Sequence, residues 1–142
     1  MVDTQVNSQI STLEILMGHK MHSKEFKKHH VTLYDSGIML FEIKKDVILT
    51  SRDLSETSAW LAHFGNRKYL NMVVAGSRAE VEDDFRLEAA GSDTFSTADA
   101  IVVTGISQRI MANLYLRFNR PKTPTKVFAD RESAAFWLMS FR

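Results

Sequence analysis

The stretch Ala100-Ile-Val-Val-Thr-Gly-Ile-Ser-Gln-Arg-Ile-Met-Ala-Asn-Leu-Tyr-Leu-Arg-Phe-Asn-Arg-Pro-Lys-Thr-Pro-Thr-Lys-Val-Phe128 decides the fold class. Its first five residues are apolar and largely β-branched, the pattern of a buried strand. Gly105 turns the chain into a segment whose apolar residues Ile110, Met111, Leu114, Tyr115 and Phe118 recur at helical spacing. Pro121 and Pro124 bracket the exit, and Thr125-Lys-Val-Phe128 supplies a second short strand. Strand, helix, strand in this order demands a right-handed crossover, which makes the two strands parallel.

The same alternation continues outward from this unit. On its C-terminal side, Asp130 caps a final helix running through Ala134, Trp137, Leu138 and Phe141. On its N-terminal side, Tyr69-Leu-Asn-Met-Val-Val-Ala75 is apolar enough for a central strand covered on both faces. After Gly76, the spacing Ser77-Arg-Ala-Glu80 matches a capping box and predicts a helix with Val81, Phe85 and Ala89 inward and Glu82, Asp83 and Asp84 in water, closed by Gly91. Thr50-Ser-Arg-Asp53 predicts another helix, to about Phe64, with Leu54, Ser58, Leu61 and Phe64 facing inward. Val31-Thr-Leu-Tyr, the turn Asp35-Ser-Gly37 and Ile38-Met-Leu-Phe-Glu-Ile43 form a hairpin. The expected fold is therefore α/β, a mixed sheet of about five to six strands with about four helices. Residues 31–142 form the domain, and residues 1–30 are an N-terminal arm or an extra strand with a solvated basic end at His19, Lys20, His22, Lys24, Lys27, Lys28, His29 and His30.

Composition narrows function by exclusion. At 142 residues the chain suits one domain. Its formal charge of +1 creates no global field for nucleic acid or an anionic membrane. The absence of cysteine removes thiol catalysis, disulfides and thiolate metal sites and fits a reducing cytoplasm, and no apolar run has the length of an integral membrane segment. Cofactors and metals are not expected, because neither spaced phosphate-loop glycines nor a convincing His/carboxylate ligand spacing occurs. No Gly-x-Ser-x-Gly elbow or convergent carboxylate pair points to an enzyme.

The run Ile101 to Phe128, with Ser-Gln-Arg opening its helix, Phe-Asn-Arg-Pro closing it and a Glu-plus-Trp helix behind it, resembles the SpoIIAA-like branch of the STAS superfamily, in particular small bacterial STAS-like proteins of unassigned role. The resemblance spans roughly Val31 to Phe141. It implies a sheet with helices on one side and action by protein–protein contact, switched in the best understood members by phosphorylation of a Ser or Thr after the central strand. The hydroxyl at that position here is Ser77, and Ala75-Gly-Ser-Arg78 stands where those members carry an Asp-Ser-Ser-Gly type of signature. Related SpoIIAA-like and CRAL-TRIO-like domains are associated with lipids or membranes.

Two surfaces follow as candidates. Ser77 and Arg78, at an expected helix N-terminus, form a phosphorylation or anion site, beside the plainer role of Ser77 as a cap. Ser107, Arg109, Asn113, Leu116 and Arg120 fall on one side of the third helix and form a candidate interface, equally readable as a solvated face with one exposed Leu. The expected function is a regulatory protein-interaction module with an unidentified protein partner or a second copy as a homodimer. The alternative is a small-molecule or lipid-binding domain with Trp60, Phe64, Phe118 and Trp137 lining an apolar cavity.

Overall fold

A computed structural model describes residues 12–82, 95–106, 108, 109, 112, 113, 116 and 121–142. The first described elements are helix α1 (Thr12–Met17) and strand β1 (Lys20–Glu25). The hairpin β2 (His29–Tyr34) and β3 (Ile38–Ile43) follows, turning at Gly37 with φ of 94°. Next come β4 (Ile48–Leu49), helix α2 (Ser51–Leu61) continued by a 3-10 turn over Ala62–Phe64, then β5 (Tyr69–Val74) and β6 (Glu80–Val81). Strand β7 (Ser96–Val102), the helical residues 106, 108, 109, 112, 113 and 116, β8 (Thr125–Phe128) and helix α3 (Arg131–Met139) complete the described elements.

Six strands form one mixed sheet in the order β1-β2-β3-β5-β7-β8. The first two pairings are antiparallel and the remaining three parallel, as the alternating sequence requires. Side chains alternate across the sheet, so β3 gives Ile38 and Leu40 to one face and Met39, Phe41 and Ile43 to the other. On the first face, Leu70, Met72, Ala98 and Ala100 pack beneath Ala134, Ala135 and Leu138 of α3 and Met17 of α1. Val31, Leu33 and Tyr69 lie on the opposite face beneath Leu61 of α2 and Leu49 of β4. Helices therefore cover both faces, a departure from the one-sided cover that the STAS resemblance implies.

Two local expectations need correction. Glu80–Val81 does not begin a helix: it pairs in parallel with Ile48–Leu49, with Glu80 N–H on the Val47 carbonyl at 2.8 Å and Glu82 N–H on that of Leu49 at 2.9 Å. Arg78 sets this course, because its φ of 55° places it in the left-handed region, which a helix start at Ser77 does not admit. The rest of that expected helix, residues 83–94, lies outside the described residues. In α2 the inward polar position is Thr57, while Ser58 is exposed. Beside the strand β1, residues 12–25 also hold helix α1, which packs on α3.

Candidate functional site

Four parallel strands, β3, β5, β7 and β8, end on one side of the sheet, the side where open α/β sheets gather their ligands. The loops after β5 and β7 are neighbours there: the Ala75 N–H donates to the Val102 carbonyl at 3.4 Å. The topology thus places Ser77 and Arg78 at the same end as Arg109. Ser77 is exposed, on a turn whose backbone carbonyl accepts the Asp46 N–H at 2.9 Å. Arg78 is already engaged, its Nε and Nη2 donating to the two Asp46 carboxylate oxygens at 2.5 and 3.0 Å. Both residues of this fork have positive φ, 57° at Asp46 and 55° at Arg78, and the pair joins the loops after β3 and β5. The Asp46 carboxyl is held below its usual range by the hydrogen bond from Arg78.

Arg109 is spent within its own turn, donating from Nη1 to the carbonyls of Val103 at 3.2 Å and Thr104 at 2.7 Å. Asn113 is exposed, and Leu116, expected on the surface, is half-buried. Among the described residues of this segment, the exposed large apolar side chain is Ile106, at 69%. Ser107 and Arg120 lie outside the described residues, as does Phe118. The remaining aromatics do not enclose a common cavity, because they sit on opposite faces of the sheet. Trp60 packs edge-on to Phe64 at 5.1 Å, and Trp137 meets Phe141 at 4.8 Å and Phe128 at 5.6 Å.

Sequence reasoning missed two buried polar ties. His29 is fully buried between the rings of Phe26 and Phe41, each 4.4 Å away. The Thr57 hydroxyl donates to the Asp53 carbonyl at 2.9 Å, so it accepts from His29 Nε2–H at 2.7 Å, which fixes the tautomer. Burial lowers the His29 pKa to about 4, against the opposing charge of Asp53. Asp53 in turn accepts from Lys28 Nζ at 3.3 Å and from the Thr50 N–H at 2.8 Å; although burial works against ionisation, these donors hold its carboxyl below the usual range. The second tie crosses β5 and β7, where Asn71 Nδ2 donates to Asp99 Oδ1 at 2.9 Å. Burial pushes the Asp99 carboxyl up, opposed by hydrogen bonds from Asn71 and Ser96. The signal available for it was a polar residue inside an otherwise apolar strand. No group of three His, Asp or Glu side chains able to hold a metal occurs among the described residues.

A half-open cleft of about 540 Å³ lies between α1, the start of α3 and the sheet. Leu13, Ile15, Met17, Leu40 and Met72 form its apolar walls, Arg131 and Lys20 bring positive charge to it, and Glu14 brings a negative one. Arg131 also donates from Nη2 to Glu42 Oε2 at 3.3 Å.

A family model described as a domain of unknown function, DUF7793, matches residues 32–142. The chain belongs to the DUF7793 family. No curated protein matches it. Among solved structures, this DUF7793 chain is similar to an uncharacterised protein of the DUF3478 family with a SpoIIAA-like fold from Shewanella loihica PV-4. The likeness has a TM-score of 0.51 at 16% identity and covers 82% of this chain and 90% of that one. Together with the strand order, it establishes a SpoIIAA-like fold, in agreement with the resemblance carried by Ile101 to Phe128. Among the described residues no helix is long and apolar enough to cross a membrane.

Proposed function

We propose that this DUF7793 chain is a non-catalytic protein-interaction module working in the cytoplasm. The observation that carries this is a pair of large apolar side chains on the paired helices α1 and α3, Ile15 at 72% and Phe136 at 73% exposed. Two large apolar side chains held in water on adjoining helices contribute nothing to the domain's own core and suit a partner's pocket. Arg78–Asp46, His29–Thr57, Lys28–Asp53 and Asn71–Asp99 support the same view, since each pair ties one element to another. The occupant is another protein or a second copy in a homodimer.

Ser77 is the regulatory position in this proposal. It is exposed beside the Arg78–Asp46 fork, so a phosphate there competes with Asp46 for the guanidinium and loosens the junction between the loops after β3 and β5. The test places a photo-crosslinking benzoylphenylalanine at Phe136, with Ser55 on the exposed side of α2 as the control position, in wild-type, Ser77→Ala and Ser77→Glu backgrounds. A discrete adduct from position 136 alone, abolished by Ser77→Glu, is the expected result, and sedimentation equilibrium tells a second copy from another protein. No adduct at position 136 removes the interface, and an adduct indifferent to Ser77→Glu removes the switch.

A second function is favoured by the cleft, whose apolar walls and Arg131 suit a small amphiphile with an anionic head. Calorimetric titration with dodecanoate checks it. Saturable binding weakened by Arg131→Gln and by Met72→Trp is expected, and heat indifferent to both rules it out.

A further inference from the structure

Among the described residues, strand β1 has β2 as its only strand neighbour and leaves an open edge. All six of its residues are exposed. The Phe26 N–H donates inward to the His29 carbonyl at 2.8 Å, so alternation turns the backbone groups of Ser23 and Glu25 toward that open edge. Such an edge is a template for another strand unless something guards it.

What guards it is charge, and the charge has one sign. Between His19 and His30 the sequence places eight Lys and His residues against the single acid Glu25, in a chain whose net charge is only +1. The structure shows which of these are committed elsewhere. Glu25 is bound by Lys44, Lys28 by Asp53, and His29 is buried. Exposed Lys20, Lys24 and Lys27 remain, with His19 and His22 beside them. His22 packs on Phe64 with centroids 4.3 Å apart and Lys24 lies 6.0 Å over Phe26, which sets both on the α2 side of the edge. Lysines along an edge disfavour basic and apolar strands, and the same lysines attract an acidic one.

We propose that β1 is a docking edge for an acidic segment of another protein in extended conformation, which adds to the sheet as a further strand. Main-chain hydrogen bonds to Ser23 and Glu25 give the docked segment its register, and its carboxylates meet Lys20, Lys24 and Lys27. Lys20 also borders the cleft beside α1, whereas Lys24 and Lys27 do not line it, so the edge stands whether or not Phe136 binds a partner.

Fluorescence anisotropy of the full chain with a short labelled peptide alternating Glu and Val, and with its Lys-for-Glu counterpart, tests the proposal. Only the acidic peptide is expected to bind, more weakly at high salt and about tenfold more weakly to the Lys20→Glu/Lys24→Glu double variant. Ser23→Pro removes an outward N–H at an edge position that tolerates proline, and it is expected to weaken binding by a similar factor. On the unaltered protein, saturation with the peptide is expected to protect the amide hydrogens of Ser23 and Glu25 from exchange, a readout independent of any variant's folding. Absence of acidic-peptide binding, equal binding of the lysine peptide, or binding without protection of these amides overturns strand addition.

Discussion

His29 ties the buried chemistry of the domain to pH. In the folded chain its imidazole stays neutral down to a pKa of about 4, and in the unfolded chain it titrates near its ordinary 6.5. Between these values the unfolded state binds the additional proton, so His29 costs stability as pH falls below 6.5, at up to about 1.4 kcal/mol per unit and about 3 kcal/mol in all. Urea unfolding of wild type and His29→Gln from pH 7 to 4 is expected to show this slope in wild type and a shallower one in the variant. Parallel curves would refute it. Gly76 is equally specific. A Cβ there meets the Ile43 carbonyl oxygen at 2.5 Å and backbone atoms of Lys44 and Lys45 at 2.7 Å, none of which is the end of a flexible side chain. Gly76→Ala is expected to lose about 2 kcal/mol in chemical denaturation, and an unchanged midpoint would mean that the loop after β3 yields without cost.

Elements formed where local signals and tertiary contacts agreed. The β2–β3 hairpin, the parallel strands and α3 follow from alternation, β-branched runs and Asp130, whose side chain accepts the Ser133 N–H at 2.7 Å. The capping box at Ser77 failed because it counts spacing alone, whereas Asp46 from a loop thirty-two residues earlier holds Arg78 in a conformation that stops a helix. The candidate site was legible only as residue types. That Arg78 and Arg109 already have partners depends on contacts that sequence spacing does not encode. Helix α2 shows the same limit, since Leu54 and Leu61 were readable as core, but Thr57 faces inward because His29 waits there. Thr57→Val keeps the shape and removes the acceptor, leaving the buried His29 Nε2–H unpaired. A loss of about 1 to 3 kcal/mol is expected in denaturation, and a neutral result would mean that the tie does not hold α2 to the sheet.

At the scale of the whole molecule, one sheet separates two apolar layers, and neither layer is complete without it. Strand β3 contributes to both, through Ile38 and Leu40 on the α3 side and Met39, Phe41 and Ile43 on the α2 side. Losing either layer exposes one face of the same strands, so the layers are expected to unfold together rather than in sequence. The two tryptophans lie on opposite sides and make this measurable: Trp60 packs against the α2 layer and Trp137 against the α3 layer. In single-tryptophan proteins made by Trp60→Phe and Trp137→Phe, fluorescence and far-ultraviolet circular dichroism are each expected to give one transition, with both probes coinciding within each variant. Leu49→Ala and Leu138→Ala, which empty fully buried sites in opposite layers, are then expected to lower the midpoint by a cavity cost of about 2 to 5 kcal/mol each while the probes stay coincident. If Leu49→Ala shifts only the Trp60 signal and Leu138→Ala only that of Trp137, the layers are independent units, and β3 does not couple them.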